Sequence, residues 1–474
     1  MEQSTNLFTS FVTFAALIIA WLLYALFQHK EREQEHYHLA YTNRLTGLPN
    51  FSWFEKEIPD VVCQFPQERS EGRFVIVKMK SQRLEAVKST YHRDLVVKGI
   101  KELTEKLRKQ NPWVKELSIS SELSQLYLLG CLPEGMSFQD AGEKLVRDGA
   151  SMQVGRYELR MNYSAGVANI PATGEYDMVT LMNAADTARV SATEKGESVG
   201  VYDKAIREKK LLQKNIENLA PKALANGEFK VWLQPKYDLV KQEIVGSEAL
   251  VRWQSPELGF LMPASFIELF EKNGFILELD YYMLEQAFAM QRQRWTAGLQ
   301  IVPISVNQSA LHVNEAGYLQ RMRELFAANP LPPGSIDLEI TETAFVDFET
   351  KESRKNATKV IDGLRKMGFT VSMDDFCTGY SSIVMLQNLS MDVMKIDRAM
   401  LLAAENSGRS KKLLHNVIDM GKGMEMAVLC EGIENRSQEA MLIEIGCRYG
   451  QGFLFKKPMP AEEFFRFVDA GDAA

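Results

Sequence analysis

From about residue 228 onward the chain repeats one unit, an apolar run of β type followed by a stretch of helical periodicity. The runs are FKVWLQP, EIVGSEALVRW, VPISVNQ, IDLEITE, FTVSMDD, DVMKID, MAVLCEG and GQGFLF; residues 351–367, 399–420 and 437–445 carry the helical pattern. Eight strands alternating with helices over roughly 245 residues match a TIM-like (β/α)8 barrel. An open doubly wound sheet is the structural alternative, but no glycine-rich phosphate fingerprint follows its first strand.

Carboxylates stand where these runs end: Glu248 in GSEALVRW, Glu339 in IDLEITET, Asp374 and Asp375 in VSMDDF, and Glu431 in AVLCEGIE. Asn307 in ISVNQSA and Lys395 in VMKID hold the same kind of place. Strand ends of a barrel meet on one face, so these groups are expected to converge. Each partly buried anion costs several kcal/mol unless compensated, and one lysine is too little compensation. The missing charge points to divalent cations. An all-oxygen set favours Mg²⁺ or Mn²⁺ over zinc, and two such cations can activate water and stabilise a departing oxygen.

The ordered series FKVWLQP, GSEALVRW, PASFIELFEKNG, VNQSA, LEITET, MDDFCTGYSS, MKIDR, EGIEN and GQGFLFKKP, over residues 228–470, resembles the EAL domain, the family that hydrolyses cyclic di-GMP. The resemblance implies a two-metal site with Glu248, Asn307, Glu339 and Asp374 on the first ion and Asp375 and Glu431, bridged by Asp374, on the second. It makes Lys395 the contact of the nucleophilic water, Glu431 its proton acceptor and Gln451 a contact of water and substrate. Arg252, Gln234 and Asp397 match residues that bind or brace the substrate, and Glu342 matches the glutamate that holds the loop after the aspartate pair. The implied product is linear 5′-pGpG, and the implied assembly a homodimer through this domain. Two positions depart from the pattern: Cys377 replaces the glycine usual after Asp-Asp-Phe, and Cys430 stands where alanine is usual.

Residues 43–202 read as an α/β unit, with RFVIVKM, QLYLLGCL and MNYSAGVANI as strands and residues 94–109 and 178–193 as helices. RLTGLPN, YSAGVA and AADTARVSATEKG are similar to a GGDEF domain, the fold of cyclic di-GMP synthases, with its chemistry removed. The signature's place reads Glu122-Leu123-Ser124-Gln125-Leu126, and Lys78 and Lys80 appear where metal-binding aspartates would lie. A degenerate domain of this kind is expected to regulate, to dimerise or to act as a spacer, not to make product. A charged helix over residues 203–227 connects it to the barrel domain, 228–474.

Phe8–Phe27 is twenty residues without a charge. At ~1.5 Å per helical residue it reaches the ~30 Å of a bilayer's hydrocarbon core. Lys30 and Arg32 follow it, which predicts a single-pass anchor (residues 1–30) in a bacterial inner membrane, a helical juxtamembrane linker (31–42) and cytoplasmic domains. The net charge of −7 gives no general attraction for nucleic acid, and none is expected as a partner. Five scattered cysteines without CxxC spacing fit reduced thiols better than a disulfide framework. The composite expectation is a membrane-anchored, Mg²⁺- or Mn²⁺-dependent phosphodiesterase that linearises cyclic di-GMP. The alternative is a catalytically silent receptor that binds cyclic di-GMP and signals through a protein partner.

Overall fold

The computed structural model describes residues 21–22, 24–32, 36–341, 344, 351–376 and 389–471, and of residues 351–354 the backbone alone. It divides into two units, Met1–Leu211 and Leu212–Ala474.

Strand β1 (Phe74–Ser81) organises the first unit. Its alternation sends Phe74 and Ile76 into one core and Val75, Val77 and Met79 into another. Helices Arg93–Gln110 and Phe138–Asp148 cover the second face with Val96, Ile100, Leu103 and Leu145. Helices Phe51–Cys63 and Met178–Glu194 cover the first with Phe54, Ile58 and Met182. The sheet adds β2 (Val114–Ile119), β3 (Gln125–Cys131), β6 (Tyr163–Asn169) and β7 (Val199–Val201), in the order β2-β3-β1-β6-β7, while β4 (Ser151–Val154) and β5 (Tyr157–Arg160) form a separate hairpin. The three strands and two helices expected here are present; β2, β7, the hairpin and helices Phe51–Cys63 and Phe138–Asp148 are among the elements beyond that expectation. Lys78 forms an ion pair with Asp186 at 3.3 Å.

The second unit is a closed ring of eight strands: β8 (Phe229–Asp238), β9 (Glu243–Ser255), β11 (Ile304–Gln308), β12 (Ile336–Thr341), β13 (Thr370–Phe376), β14 (Val393–Ile396), β15 (Ala427–Cys430) and β16 (Tyr449–Gly450). Two short strands, β10 (Gly259–Leu261) and β17 (Met459–Pro460), lie outside the ring on β9 and β8. From β9 to β16 neighbouring ring strands are parallel. β8 is antiparallel to both its neighbours, β9 and β16, and so closes the ring in reverse. This corrects the expectation of a uniform strand–helix repeat. Only residues 239–242 connect β8 to β9, which allows a hairpin and leaves no room for the crossover that a parallel pair needs.

The eighth expected strand, GQGFLF, is mostly not a strand. A Cβ at Gly452 would lie 2.0 Å from the Ile433 carbonyl oxygen, so the chain passes against that backbone and turns. Leu454 N–H then donates to Ile433 O at 2.9 Å. Helices Ile276–Thr296, Tyr318–Ala328, Lys351–Met367, Gly408–Gly423 and Arg436–Glu444 bury apolar faces in one core with the strands, and Phe229, Trp253, Phe266 and Phe270 pack edge-on and tilted at its start.

The membrane expectation is also corrected. Among the described residues no helix is long and apolar enough to cross a membrane, and the inner-membrane, single-pass placement does not stand. Most of the run Phe8–Phe27 lies outside the described residues, as do Glu342 and Cys377.

Candidate active site

Parallel strands bring their C-terminal ends to one mouth, and the reversed β8 brings its middle there. Each ring strand, or the residue just after it, delivers one polar side chain: Gln234 from β8, Glu248 from β9, Asn307 from β11, Glu339 from β12, Asp374 from β13, Lys395 from β14, Glu431 after β15 and Gln451 after β16. Register aligns them, with Gln234 opposite Glu248 and Asn307 opposite Glu339. Glu431 N–H donates to Ile396 O at 3.0 Å and Gln451 N–H to Cys430 O at 2.9 Å, which carries the sheet pairing up to both side chains.

Lys395 lies at the centre and is 1% exposed. Its Nζ donates to Glu339 Oε2 at 2.6 Å and stands 2.7 Å from Glu431 Oε1, 3.0 Å from Asp374 Oδ1 and 3.8 Å from Glu248 Oε2. Burial opposes its charge, but these four carboxylates outweigh burial and hold the ammonium well above the ordinary lysine range. Glu248 also accepts from Asn307 Nδ2 at Oε1, 3.2 Å, and from Gln451 Nε2 at Oε2, 2.7 Å. Gln451 Nε2 also reaches Gln234 Oε1 at 3.0 Å, and Gln234 Nε2 donates to the Lys456 carbonyl at 3.1 Å.

The carboxylates are not equivalent. Burial would raise Glu339, but Lys236 and Lys395 override it and hold the carboxyl at about 2. Burial dominates at Glu431 and pushes it up to about 8 despite Lys395. Glu248 is raised by burial, and Asp375 by burial and then by Asp374. One site thus pushes two carboxylates apart, Glu339 down by its two ammonium partners and Glu431 up by burial. Glu431 Oε1 is held to Lys395 as an ion pair. It and Gln451 Oε1 are buried oxygens without a hydrogen-bond donor among the described residues.

Asp375 has φ +56°, a left-handed backbone unusual for a residue with a side chain, and its N–H donates to Asp374 Oδ1 at 2.9 Å. Arg252 is buried, stacks 5.5 Å from the Trp232 ring centroid and donates to the Val251 carbonyl. Asp397 caps helix Arg398–Asn406, its Oδ1 accepting Ala399 N–H at 2.7 Å.

One cation was missed. Sequence reasoning set a single lysine against the carboxylates, yet Lys236 is buried in the barrel and donates to Glu339 Oε1 at 2.6 Å. The signal was available, since Gln234 and Lys236 are two apart in a strand and share its inward face. Among the described residues no three carboxylates, histidines or cysteines surround one point at ligand distance; the acids gather instead on the Lys395 ammonium.

Fold and site define a class: a closed eight-strand α/β barrel with a carboxylate–lysine cluster at its mouth. Within that class the chain belongs to the EAL domain family, whose model matches residues 217–458. It is 28% identical over 433 residues to the bifunctional diguanylate cyclase/cyclic di-GMP phosphodiesterase MucR of Pseudomonas aeruginosa, covering 91% of this chain and 62% of that protein. It is 30% identical over 311 residues to the cyclic di-GMP phosphodiesterase NbdA of the same organism, covering 65% of this chain and 39% of that one. The chain thus spans less than two thirds of the length of either relative. A solved structure of the EAL enzyme Bd1971, with cAMP and cyclic di-GMP bound, shares the fold at a TM-score of 0.50 and 24% identity, covering 67% of this chain and 82% of that one.

Proposed function

We propose that the barrel hydrolyses cyclic di-GMP to linear 5′-pGpG with divalent-cation assistance. The observation that carries this reading is the convergence of Glu248, Glu339, Asp374 and Glu431 on Lys395, inside a family whose named members include phosphodiesterases. The donor chemistry suits Mg²⁺ or Mn²⁺: the groups are oxygens, and Gln451 Oε1, and Glu431 Oε1 beyond its ion pair with Lys395, are buried without a hydrogen-bond donor among the described residues. Glu248, Asn307, Glu339, Asp374, Asp375 and Glu431 would hold the ions. When bound, these supply Lewis-acid activation of water and neutralise the phosphodiester.

The chain's own groups do the rest. Arg252, braced on Trp232, offers a planar fork to a phosphate oxygen. Gln451 and Lys395 orient the attacking water toward phosphorus. Glu431, 2.7 Å from the Lys395 ammonium, is placed to accept that water's proton. The new P–O bond forms as the bond from phosphorus to the 3′ oxygen breaks, leaving the phosphate on the 5′ side.

The first unit serves, in this reading, as a degenerate GGDEF-like regulatory or dimerisation module, with the barrel pairing into a homodimer. Support comes from the 91% of the chain that aligns with the bifunctional relative and from Lys78, paired with Asp186 where that family's metal-binding aspartate would stand. The test incubates the full chain with cyclic di-GMP and Mg²⁺ or Mn²⁺. Appearance of pGpG, lost in Glu248→Ala and Glu431→Ala, supports hydrolysis. Tight binding without turnover under either ion would replace the enzyme with a receptor.

A further inference from the structure

A second polar layer lies one inward position beneath the carboxylates, and the chemistry proposed above makes no use of it. Ser305, Asp337 and Ser372 each precede a site residue (Asn307, Glu339 and Asp374) by two positions on β11, β12 and β13. Lys236 follows Gln234 by two on β8, and because β8 is reversed this also places it below the mouth, opposite Gly246. All four side chains are buried. Lys236 Nζ donates to Ser305 Oγ, lies 3.7 Å from Asp337 Oδ2 and donates to Glu339 Oε1 at 2.6 Å. Ser305 and Ser372 each donate to a different oxygen of Asp337, the second at 2.7 Å. The polar side chains of the layer are thereby tied to one another, and among the described residues the layer is linked upward by the bond from Lys236 to Glu339.

We propose that Lys236 is a positioning residue of the site: it fixes Glu339 by Oε1 from the barrel floor, so that Oε2 alone is turned to Lys395 and the mouth. This rests on the functional reading above. A carboxylate with one free oxygen can rotate and exchange the atom it presents. Glu339, fully buried and gripped at both oxygens by ammonium groups from β8 and β14, cannot do so without breaking a charge-assisted hydrogen bond. Asp337, held in turn by two serines, keeps Lys236 from swinging away. The layer acts on cation binding by fixing a ligand's orientation, as outer partners of metal ligands do elsewhere.

The experiment uses the full chain as wild type, Lys236→Met and the double variant Lys236→Met/Asp337→Asn. Three quantities are read: Mn²⁺ affinity from the electron paramagnetic resonance signal of free Mn²⁺, kcat and KM for cyclic di-GMP, and the Tm without metal. Lys236→Met is expected to weaken Mn²⁺ binding by about tenfold or more and to lower kcat with KM unchanged. The double variant removes both charges of the floor pair and leaves only Glu339 Oε1 without its ammonium, so its metal-free Tm falls less than that of Lys236→Met while the Mn²⁺ defect is the same. Should Lys236→Met fail to fold, the double variant carries the test alone. Mn²⁺ binding equal to wild type in a folded variant, or a defect confined to KM, overturns the positioning role while leaving the phosphodiesterase reading intact. A wild-type chain that neither binds Mn²⁺ nor turns over cyclic di-GMP overturns both.

Discussion

Lys395 on β14 donates to Glu339 on β12 at 2.6 Å, so the bond passes over β13, the strand that separates them and carries Asp374. One ammonium therefore gathers side chains from several strands, and its removal is felt across the whole mouth.

Lys395→Met leaves Glu339, Glu431 and Asp374 facing each other without their central charge. Breaking a buried pair from one side costs about 3–5 kcal/mol. Urea unfolding at neutral pH should show a loss of this order, with turnover of cyclic di-GMP abolished. A variant as stable as wild type would mean that the acids are compensated by something else.

Stability of the metal-free protein should depend on pH with two opposite signs. Glu431 is raised from 4.5 to about 8, so between those values the folded chain keeps a proton that the unfolded chain has released, and stability falls as pH rises through the window. Glu339 is lowered from 4.5 to about 2; its contribution is present above 4.5 and is lost on acidification toward 2. Tm measured across the neutral range should decline with pH in wild type and decline less steeply in Glu431→Gln.

Asp375 sits at φ +56°, where a residue with a Cβ is strained by about 1–2 kcal/mol and glycine is not. Asp375→Gly should therefore match or exceed the wild-type Tm while hydrolysis is lost, and Asp375→Ala should lose activity without the gain. Thermal scans of the two variants beside an activity assay separate backbone relief from the chemistry of the carboxylate.

Gln451 is the donor to both Glu248 and Gln234. Gln451→Ala strips a hydrogen bond from a buried carboxylate, an interaction of about 1.5–3 kcal/mol when charged, which corresponds to a loss of about tenfold to a hundredfold in kcat/KM. Steady-state rates check this, and an unchanged kcat/KM would remove Gln451 from the working site.

The barrel's inward carboxylates were legible because each closes an apolar run, a pattern that periodicity exposes in one dimension. Strand direction was less so. A count of eight runs suggested a uniform repeat, although the four residues between Asp238 and Glu243 already forbade a parallel crossover. The floor of the site escaped for a different reason. Ser305, Asp337 and Ser372 lie inside apolar runs, not at their ends, and only the three-dimensional neighbourhood of Lys236 shows that they serve one another. Asp397, which the resemblance matched to a residue that binds or braces the substrate, caps helix Arg398–Asn406, a common place for an aspartate at a strand end. The membrane anchor was read from the length of an uncharged run and the basic residues that follow it, and no helix of the described residues is long and apolar enough to cross a membrane.

Because the reversed first strand closes the ring, Gln234 meets Gln451, 217 positions further along the chain. Such a long-range contact comes late, since the loop entropy must be met before the contact repays it. During synthesis, then, a ribosome-bound chain stopped short of residue 451 would carry nearly all the acids and no finished ring. Catalytic competence would switch on abruptly as the final segment emerges.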